Sequence, residues 1–553
     1  MAFEDLLSEV GDKRTFQNLQ VFSLAIPLIF IASHCLIENF TAFVPEHWCW
    51  VHLLDNTSAS LNISGNLNFS SILKLSIPLD TNGKLEKCHR FFWPQWQSLA
   101  PSVTGQNLSQ LEMEPCVDGW VYDQSIFTSS IMTEWDLVCH SWKLKSFCQS
   151  IFLAGILVGY LLLGYVSDRF GRKRMLPPSY LMLAISSTGA SFAQSFPVYC
   201  CLRFLLGFSI SGIILFGWKL VIEWTTSQHR PLVTIILSLS ISLEHQFLGI
   251  LSHGIQEWRK LQLVVSAPCF AFFLTSWWLP ESARWLVIHN KYDDALKMLR
   301  KVAKINGVKD KILTVEALRS TMERELTATQ TRYTILNLVR FPILRTRILC
   351  MSFARPWHPT GMLSYGLSLD LQNLGSNIQM LQVLLGVSAF LSRVGALFLM
   401  NRLGLRTTSV ACLLLAGLFI LPSAFLPQGI LRVVLAILGI SCIVVCVSSN
   451  TLYFNELLPT KVRNTCLGFI FLGEQIGSVL APLVNTLRQN IPALPQIIFA
   501  VIAITASFAV FFFLPETQNQ PMPDTIQDIE CGHSREEARP REEGDRAVKI
   551  SQF

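Results

Sequence analysis

A short charged motif between two apolar runs returns once, far down the chain. Asp168-Arg169-Phe170-Gly171-Arg172-Lys173 comes back in altered form as Asn401-Arg402-Leu403-Gly404-Leu405-Arg406. Glu223 is followed seven residues later by Arg230, and Glu456 is followed at the same interval by Arg463. Leu279-Pro280-Glu281-Ser282 returns as Leu514-Pro515-Glu516-Thr517. The three offsets are 233, 233 and 235 residues. Three different matches at one near-constant spacing make the chain two copies of one design, laid end to end in the same direction.

The copies do not read as soluble domains. Of 553 residues, 51% are apolar and 15% charged, where a soluble domain carries about 25% charge. The mean hydropathy is +0.42, and several stretches reach the ~20 apolar residues that cross a bilayer. The first, about residues 16–37, is too long for a signal-peptide core, lacks a small-residue cleavage pattern and follows an acidic start, so it reads as a retained span. Twelve spans are predicted, centred near residues 28, 157, 185, 210, 241, 270, 357, 388, 416, 442, 475 and 503. The expected fold is an all-α polytopic membrane protein with twelve transmembrane helices in two six-helix pseudo-repeats. Parallel repeats in a membrane are a layout of secondary transporters. The net charge of +6 points to lipid rather than nucleic acid, because much of the excess base sits in short loops beside the spans.

The expected division is a cytosolic N-terminus (1–15), an N-terminal six-helix half (16–280) interrupted by a large extracellular loop (41–145), a cytosolic helical linker (281–344), a C-terminal half (345–515) and a disordered cytosolic tail (516–553). Two signals orient it. Asn-x-Ser/Thr acceptors occur at Asn39, Asn56, Asn62, Asn68 and Asn107, all before the second span, and sugar is added on the lumenal side. Arg169, Arg172, Lys173, Arg174, Arg402, Arg406, Lys461 and Arg463 fall in loops that twelve spans place in the cytosol. Of fifteen cysteines, Cys49, Cys88, Cys116 and Cys139 lie in the outer loop, where two disulfides with three possible pairings are expected. In the linker, residues 293–303 carry apolar residues at helical spacing, with acids first and bases last, as the helix dipole favours.

These residues carry a family pattern. Gly164-Tyr165-Val166-Ser167-Asp168-Arg169-Phe170-Gly171-Arg172-Lys173 resembles the signature between the second and third helices of the major facilitator superfamily. Pro280-Glu281-Ser282-Ala283-Arg284-Trp285-Leu286 resembles the organic-ion transporters of solute carrier family 22, as do Asn39-Phe40-Thr41-Ala42, Glu114-Pro115-Cys116-Val117-Asp118-Gly119-Trp120 and Thr133-Glu134-Trp135-Asp136-Leu137-Val138-Cys139. The resemblance covers about residues 1–530 and is strongest to the organic-anion branch, including members tied to steroid conjugates. It implies plasma-membrane transport of amphipathic organic anions by alternating access, facilitated or in exchange for counter-anions, with both termini cytosolic.

It also implies roles for residues. Asp168, with Arg169, Gly171 and Arg172, becomes a gating latch on the cytosolic side, and a charge pair that breaks on rocking is a usable latch. Glu223, Arg230, Glu281, Arg284, Glu456, Arg463 and Glu516 are candidates for the same network. The second copy has Asn401 in place of Asp168, so any latch there is expected to be weaker. Arg393 lies in the middle of the eighth span, where an ionisable group costs roughly 2.5–3.5 kcal/mol on insertion scales and needs a reason. The resemblance makes it a substrate contact that grips a carboxylate or sulfate with two parallel hydrogen bonds. The anion branch often has Arg, and the cation branch Asp, where Gln475 stands beside Glu474. A site suited to monoanions with a bulky apolar body is expected. Lys219 either serves substrate or pairs with Glu223 one turn on. His34 matches a family histidine, Glu244-His245 is a candidate proton-sensitive pair, and Trp218, Phe247 and Tyr365 are candidate cavity aromatics. Pro356 and Pro359 are expected to break the seventh span.

No P-loop, His-Glu-x-x-His or Gly-x-Ser-x-Gly motif occurs, so neither an enzyme, a cofactor nor a metal is expected. Transport of organic cations or zwitterions, with Glu474 or Glu244 as counter-ion, is the alternative inside the class; a channel or receptor-like protein is the alternative outside it. The chain ends Ile550-Ser551-Gln552-Phe553, a form that a PDZ domain adds as a β-strand, so a scaffold partner is a further expectation.

Overall fold

The computed structural model describes residue 7 and residues 15–51, 73–74, 76–80, 83–92, 113–226, 229–308, 315–316, 318–319, 359–375, 377–458 and 463–517. The four sequons at Asn56, Asn62, Asn68 and Asn107, the start of the seventh predicted span and the tail beyond residue 517 lie outside them. The chain divides into two compact units. One takes Met1–Asn39, Ser146–Gly254 and Gln262–Phe553; the other takes Phe40–Lys145 and Ile255–Leu261.

The long helices follow the apolar runs. They are α1 (Thr15–Leu36), α2 (Lys143–Phe170), α3 (Arg172–Ser191), α4 (Phe196–Glu223), α5 (Arg230–Gly254), α6 (Trp258–Ser276), α7 (Pro359–Ser368), α8 (Ile378–Leu403), α9 (Leu405–Phe425), α10 (Ile430–Leu457), α11 (Arg463–Asn485) and α12 (Leu494–Phe513). Eleven of the twelve predicted centres fall inside one of these helices; residue 357 precedes α7 and lies outside the described residues. Among the described residues, nine helices are long and apolar enough to cross a membrane. α3 departs from that pattern because three bases, Arg172 to Arg174, and two prolines stand in its first half.

Helix pairing repeats as the sequence does. α3 packs along α4 as α9 packs along α10, and α1 packs along α5 as α7 packs along α11. α5 also packs along α8, which joins the two halves. That seam needs glycine. A Cβ on Gly386 would lie 2.7–2.9 Å from Gln246 and His245, and one on Gly249 would lie 2.7 Å from Val383, so the helices approach closer than side chains allow. Hydrogen bonds join the halves from Asn39 to the Ser368 carbonyl (2.7 Å), Ser150 to the Val479 carbonyl (2.9 Å) and Gln379 to the Ser252 carbonyl (3.0 Å). All three lie on the membrane side predicted to be extracellular.

On the opposite side the linker helix Tyr292–Ile305 buries Ala295, Leu296, Leu299 and Val302. They enter an apolar cluster with Phe16, Leu220, Trp224, Trp285 and Leu286. Lys297, Arg300, Lys301 and Lys304 face outward, so the 3.6-residue period sorts the two faces. Asn306, just past this helix, accepts a hydrogen bond from the Phe16 amide at 3.0 Å and donates to Gln17 at 3.2 Å. It thereby caps the start of α1, whose first amides have no partner within the helix.

The smaller unit is built on two short antiparallel ribbons. β1 (His47–Cys49) pairs with β4 (Trp120–Tyr122), and β2 (His89–Phe91) pairs with β3 (Met113–Pro115). The disulfides are Cys49–Cys116 and Cys88–Cys139, which settles the pairing that the sequence left open. They close loops of 67 and 51 residues, worth about 4 kcal/mol each in a chain-entropy model. Arg90 joins the ribbons through Glu114 and Asp118, both at 2.6 Å, and the Trp50 carbonyl at 2.7 Å. Lys87 sits 2.9 Å from Glu46, and its hydrogen bond holds the Glu46 carboxyl below the usual range. Burial and the hydrogen bond to Asp136 push the Tyr122 phenol up.

Candidate functional site

The charged motif forms a compact joint. α2 ends at Phe170, Gly171 takes φ 98°, and α3 starts at Arg172. Only glycine holds that φ without strain. Glu281 then reaches in from beyond α6. It accepts hydrogen bonds from the Arg172 and Lys173 amides at 3.1 Å, while its own neighbour Ser282 donates at 3.1 Å. A carboxylate at the start of a helix satisfies otherwise orphaned donors and is favoured by the dipole. The Arg172 side chain, nearly buried, pairs with Glu223 at the end of α4 at 2.9 Å. The motif therefore ties α3, α4 and the Pro280-Glu281 turn together. Lys173 stands in the same joint. Partial burial and the nearby Lys301 lower its pKa, against the pull of Glu281.

The second half repeats the joint more loosely. Gly404 takes φ 83° between α8 and α9. Glu516 accepts from the Arg406 and Thr407 amides, both at 3.4 Å, and from Thr517 at 3.0 Å. Arg406 donates to the Phe511 carbonyl and Tyr453 to the Pro515 carbonyl.

Other sequence candidates lie around this joint or apart from it. The partner of Glu223 at this joint is Arg172, where Arg230 or Lys219 was expected. Arg230 instead donates to the Thr225 carbonyl at 3.1 Å. Arg284 follows Glu281 on the short helix Ala283–Ile288, Glu456 is half-buried near the end of α10, and Arg169 is exposed. Of Asp168 and Arg463 only the backbone is described, at the end of α2 and the start of α11. Asn39 is corrected outright as a sugar acceptor. It is 3% exposed and its amide nitrogen donates to Ser368, which leaves no room for a glycan.

In the middle of the bundle, Arg393 of α8 is half-buried and donates to the Ser242 hydroxyl of α5. Glu244, 1% exposed, lies within electrostatic reach of Arg393 and 2.8 Å from the His245 ring. These groups meet on the α5–α8 seam, so the cation stands between the two halves. Tyr365 of α7 lies close to Cys35 of α1, with Tyr160 of α2 and Glu474 of α11 nearby. Gln475 is half-buried, and its side-chain oxygen has no hydrogen-bond partner among the described residues. Beside it, Thr360, Val447, Thr451, Phe454, Leu467, Phe471 and Glu474 line a cavity of about 100 Å³ between α7, α10 and α11.

The N-terminal half is less open at the expected places. Phe247 meets Phe30 edge-on at 4.9 Å. Trp218 packs on an apolar cluster of Val21, Leu24, Leu28, Val233 and Leu237. Lys219, next to it, is half-buried. His34 is fully buried, and its carbonyl accepts from Arg203 at 3.1 Å.

That contact belongs to a feature the reading of motifs missed. Arg203 of α4 and Glu38, just past α1, form a buried ion pair at 2.7 Å, 0% and 3% exposed. The guanidinium also covers the Phe152 ring at 4.2 Å, and the Cys148 thiol approaches Glu38 at 3.7 Å. The available signal was a lone arginine seven residues into an apolar span, which demands an acid at the same depth.

Comparison with known proteins agrees with this architecture. The model of the sugar (and other) transporter family matches residues 109–526. A steroid transmembrane transporter of Microcebus murinus, SLC22A24, is 47% identical over the whole of both chains. Solute carrier family 22 member 10 of Homo sapiens is 46% identical over 96% of this chain and 98% of its own. Member 12 of Homo sapiens is 44% identical over the whole of both chains. Among solved structures, the inward open xylose transporter XylE of E. coli has TM-score 0.57 at 16% identity, covering 71% of this chain and 90% of its own. The XylE proton:xylose symporter of the major facilitator superfamily, bound to 6-bromo-6-deoxy-D-glucose, has TM-score 0.56 at 14% identity, covering 93% and 99%. At such identities the likeness speaks for the fold alone. The chain belongs to solute carrier family 22 and has the major facilitator fold, which makes it a multi-pass membrane transporter of small molecules and not an enzyme.

Proposed function

We propose that this chain moves amphipathic organic anions, of the steroid sulfate, steroid glucuronide or carboxylate type, across the plasma membrane by alternating access. The observation that carries the reading is Arg393, a fixed cation midway along α8 that touches α5 of the other half. A guanidinium keeps its charge at any physiological pH and matches a carboxylate or sulfate with two parallel donors. Placed on the seam between halves, it is met by a substrate in the position that rocking exposes to either side. The apolar walls supplied by Phe454 and Phe471 suit a ring-bearing body. The relatives named as steroid transmembrane transporters support the same class.

The test is uptake of a labelled steroid sulfate in oocytes. Arg393→Ala at wild-type surface density should lower uptake at least tenfold, and Arg393→Lys should retain part of it. Wild-type uptake by Arg393→Ala removes Arg393 from the site. A second reading draws on Glu474, a carboxylate in the wall of the α7–α10–α11 cavity. It would serve an organic cation, and uptake of a labelled organic cation that Glu474→Gln abolishes would favour it.

A further inference from the structure

A second group of charges lies at the other end of the C-terminal half, away from Arg393. α7 ends at Ser368 and is followed by Asp370, which is 8% exposed. Asn373 donates to one Asp370 oxygen and Arg488, in the turn between α11 and α12, donates to the other. Arg432, in the first turn of α10, lies within electrostatic reach of both Arg488 and Asp370. The chain brings these elements together independently of charge, since Val433 of α10 lies 3.4 Å from a Cβ placed on Gly375. Asp370 thus pairs with Arg488, Arg432 acts on both at longer range, and the three side chains together carry a net positive charge.

Its hydrogen bonding is also incomplete. The Nε–H groups of Arg432 and Arg488 are both enclosed and have no partner among the described residues. An enclosed unpaired donor costs about 1–3 kcal/mol, more on a charged group. The start of α10 adds to the same sign, because it has neither an acidic residue in its first turn nor a side-chain cap.

We propose that Arg432 and Arg488 form a binding site for a small inorganic monoanion of halide size at the extracellular end of the C-terminal half. One negative charge neutralises the cluster. The enclosed donors select a small ion over an organic one. Bound there, the anion would relieve the repulsion between the two arginines and tie the end of α7 to the start of α10 and to the α11–α12 turn. The site lies two residues from Ser368, whose carbonyl accepts from Asn39 of the other half, so occupancy would favour the state in which that contact is made. None of this draws on the role given to Arg393.

The test uses purified full-length protein in detergent. Sodium chloride is titrated against sodium gluconate at constant ionic strength while thermal unfolding is followed. Chloride should raise the melting temperature of the wild type by about 1–3 °C between roughly 1 and 150 mM. Arg432→Lys should keep the shift and Arg432→Gln should lose it. Asp370→Asn removes the competing acid and should move the midpoint to several-fold lower chloride, which keeps the test open if Arg432→Gln does not fold. A wild type that melts alike in both salts, an undiminished shift in Arg432→Gln, or an unmoved midpoint in Asp370→Asn overturns the proposal.

Discussion

Glu281 and Glu516 occupy equivalent places 235 residues apart, each accepting the first free amides of a helix from outside that helix. The first holds α3 at 3.1 Å and the second holds α9 at 3.4 Å. The tighter copy also carries the Arg172–Glu223 ion pair. Weight should therefore fall unevenly on the two. Glu281→Gln should cut the maximal transport rate several-fold with little change in half-saturation, and Glu516→Gln should do less. Rates normalised to surface density, with equal losses in both variants, would contradict this ordering.

Gly171 admits no side chain. Its φ of 98° disfavours any Cβ, and a Cβ there would lie 2.6 Å from the Glu281 carboxylate. Strained φ costs of order 1–3 kcal/mol. Gly171→Ala should lower the melting temperature and the yield at the cell surface, and Gly171→Ala/Glu281→Ala should recover part of both by removing the clash. Normal folding of the single variant would mean that the joint is softer than its geometry states.

The Arg203–Glu38 pair should behave as one unit. Removing one partner of a buried pair costs about 3–5 kcal/mol, whereas replacing both by apolar groups is often neutral. Arg203→Met and Glu38→Leu should each fold poorly, and the double variant should melt closer to the wild type than either. Additive losses across that cycle would show that the two side chains are not coupled.

Glycans should be confined to the outer loop. Peptide N-glycosidase should shift the mobility of the protein made in mammalian cells, and replacing Asn56, Asn62, Asn68 and Asn107 together should remove the shift. Asn39→Gln should leave mobility unchanged, since its amide already bonds Ser368 inside the bundle. A smaller glycosylated form of Asn39→Gln would refute that placement.

Much of this architecture was legible in the chain because a membrane leaves few choices. Apolar length and alternating loop charge placed the helices, and the repeat announced the paired joints at Gly171 and Gly404. What escaped were partners set by depth rather than by spacing. Glu223 looked paired with Arg230 by proximity in sequence, yet Arg172 of the neighbouring helix lies closer in space. Arg203 and Glu38 are 165 residues apart, and no local pattern connects them. Trp218 was legible as an aromatic but not in its facing, since an all-round apolar helix has no stripe to orient it.

Asn306 and Phe16 are 290 residues apart in the chain. Translation therefore enters the account of this bond. At roughly 5–20 residues per second, between about fifteen seconds and a minute separate the two residues as they leave the ribosome. Throughout that interval the Phe16 amide lacks its Asn306 acceptor. The acceptor for that amide becomes available when residue 306 emerges, before most of the second half has been made. A nascent chain stopped short of residue 306 should leave the start of α1 open, and one stopped just beyond it should not.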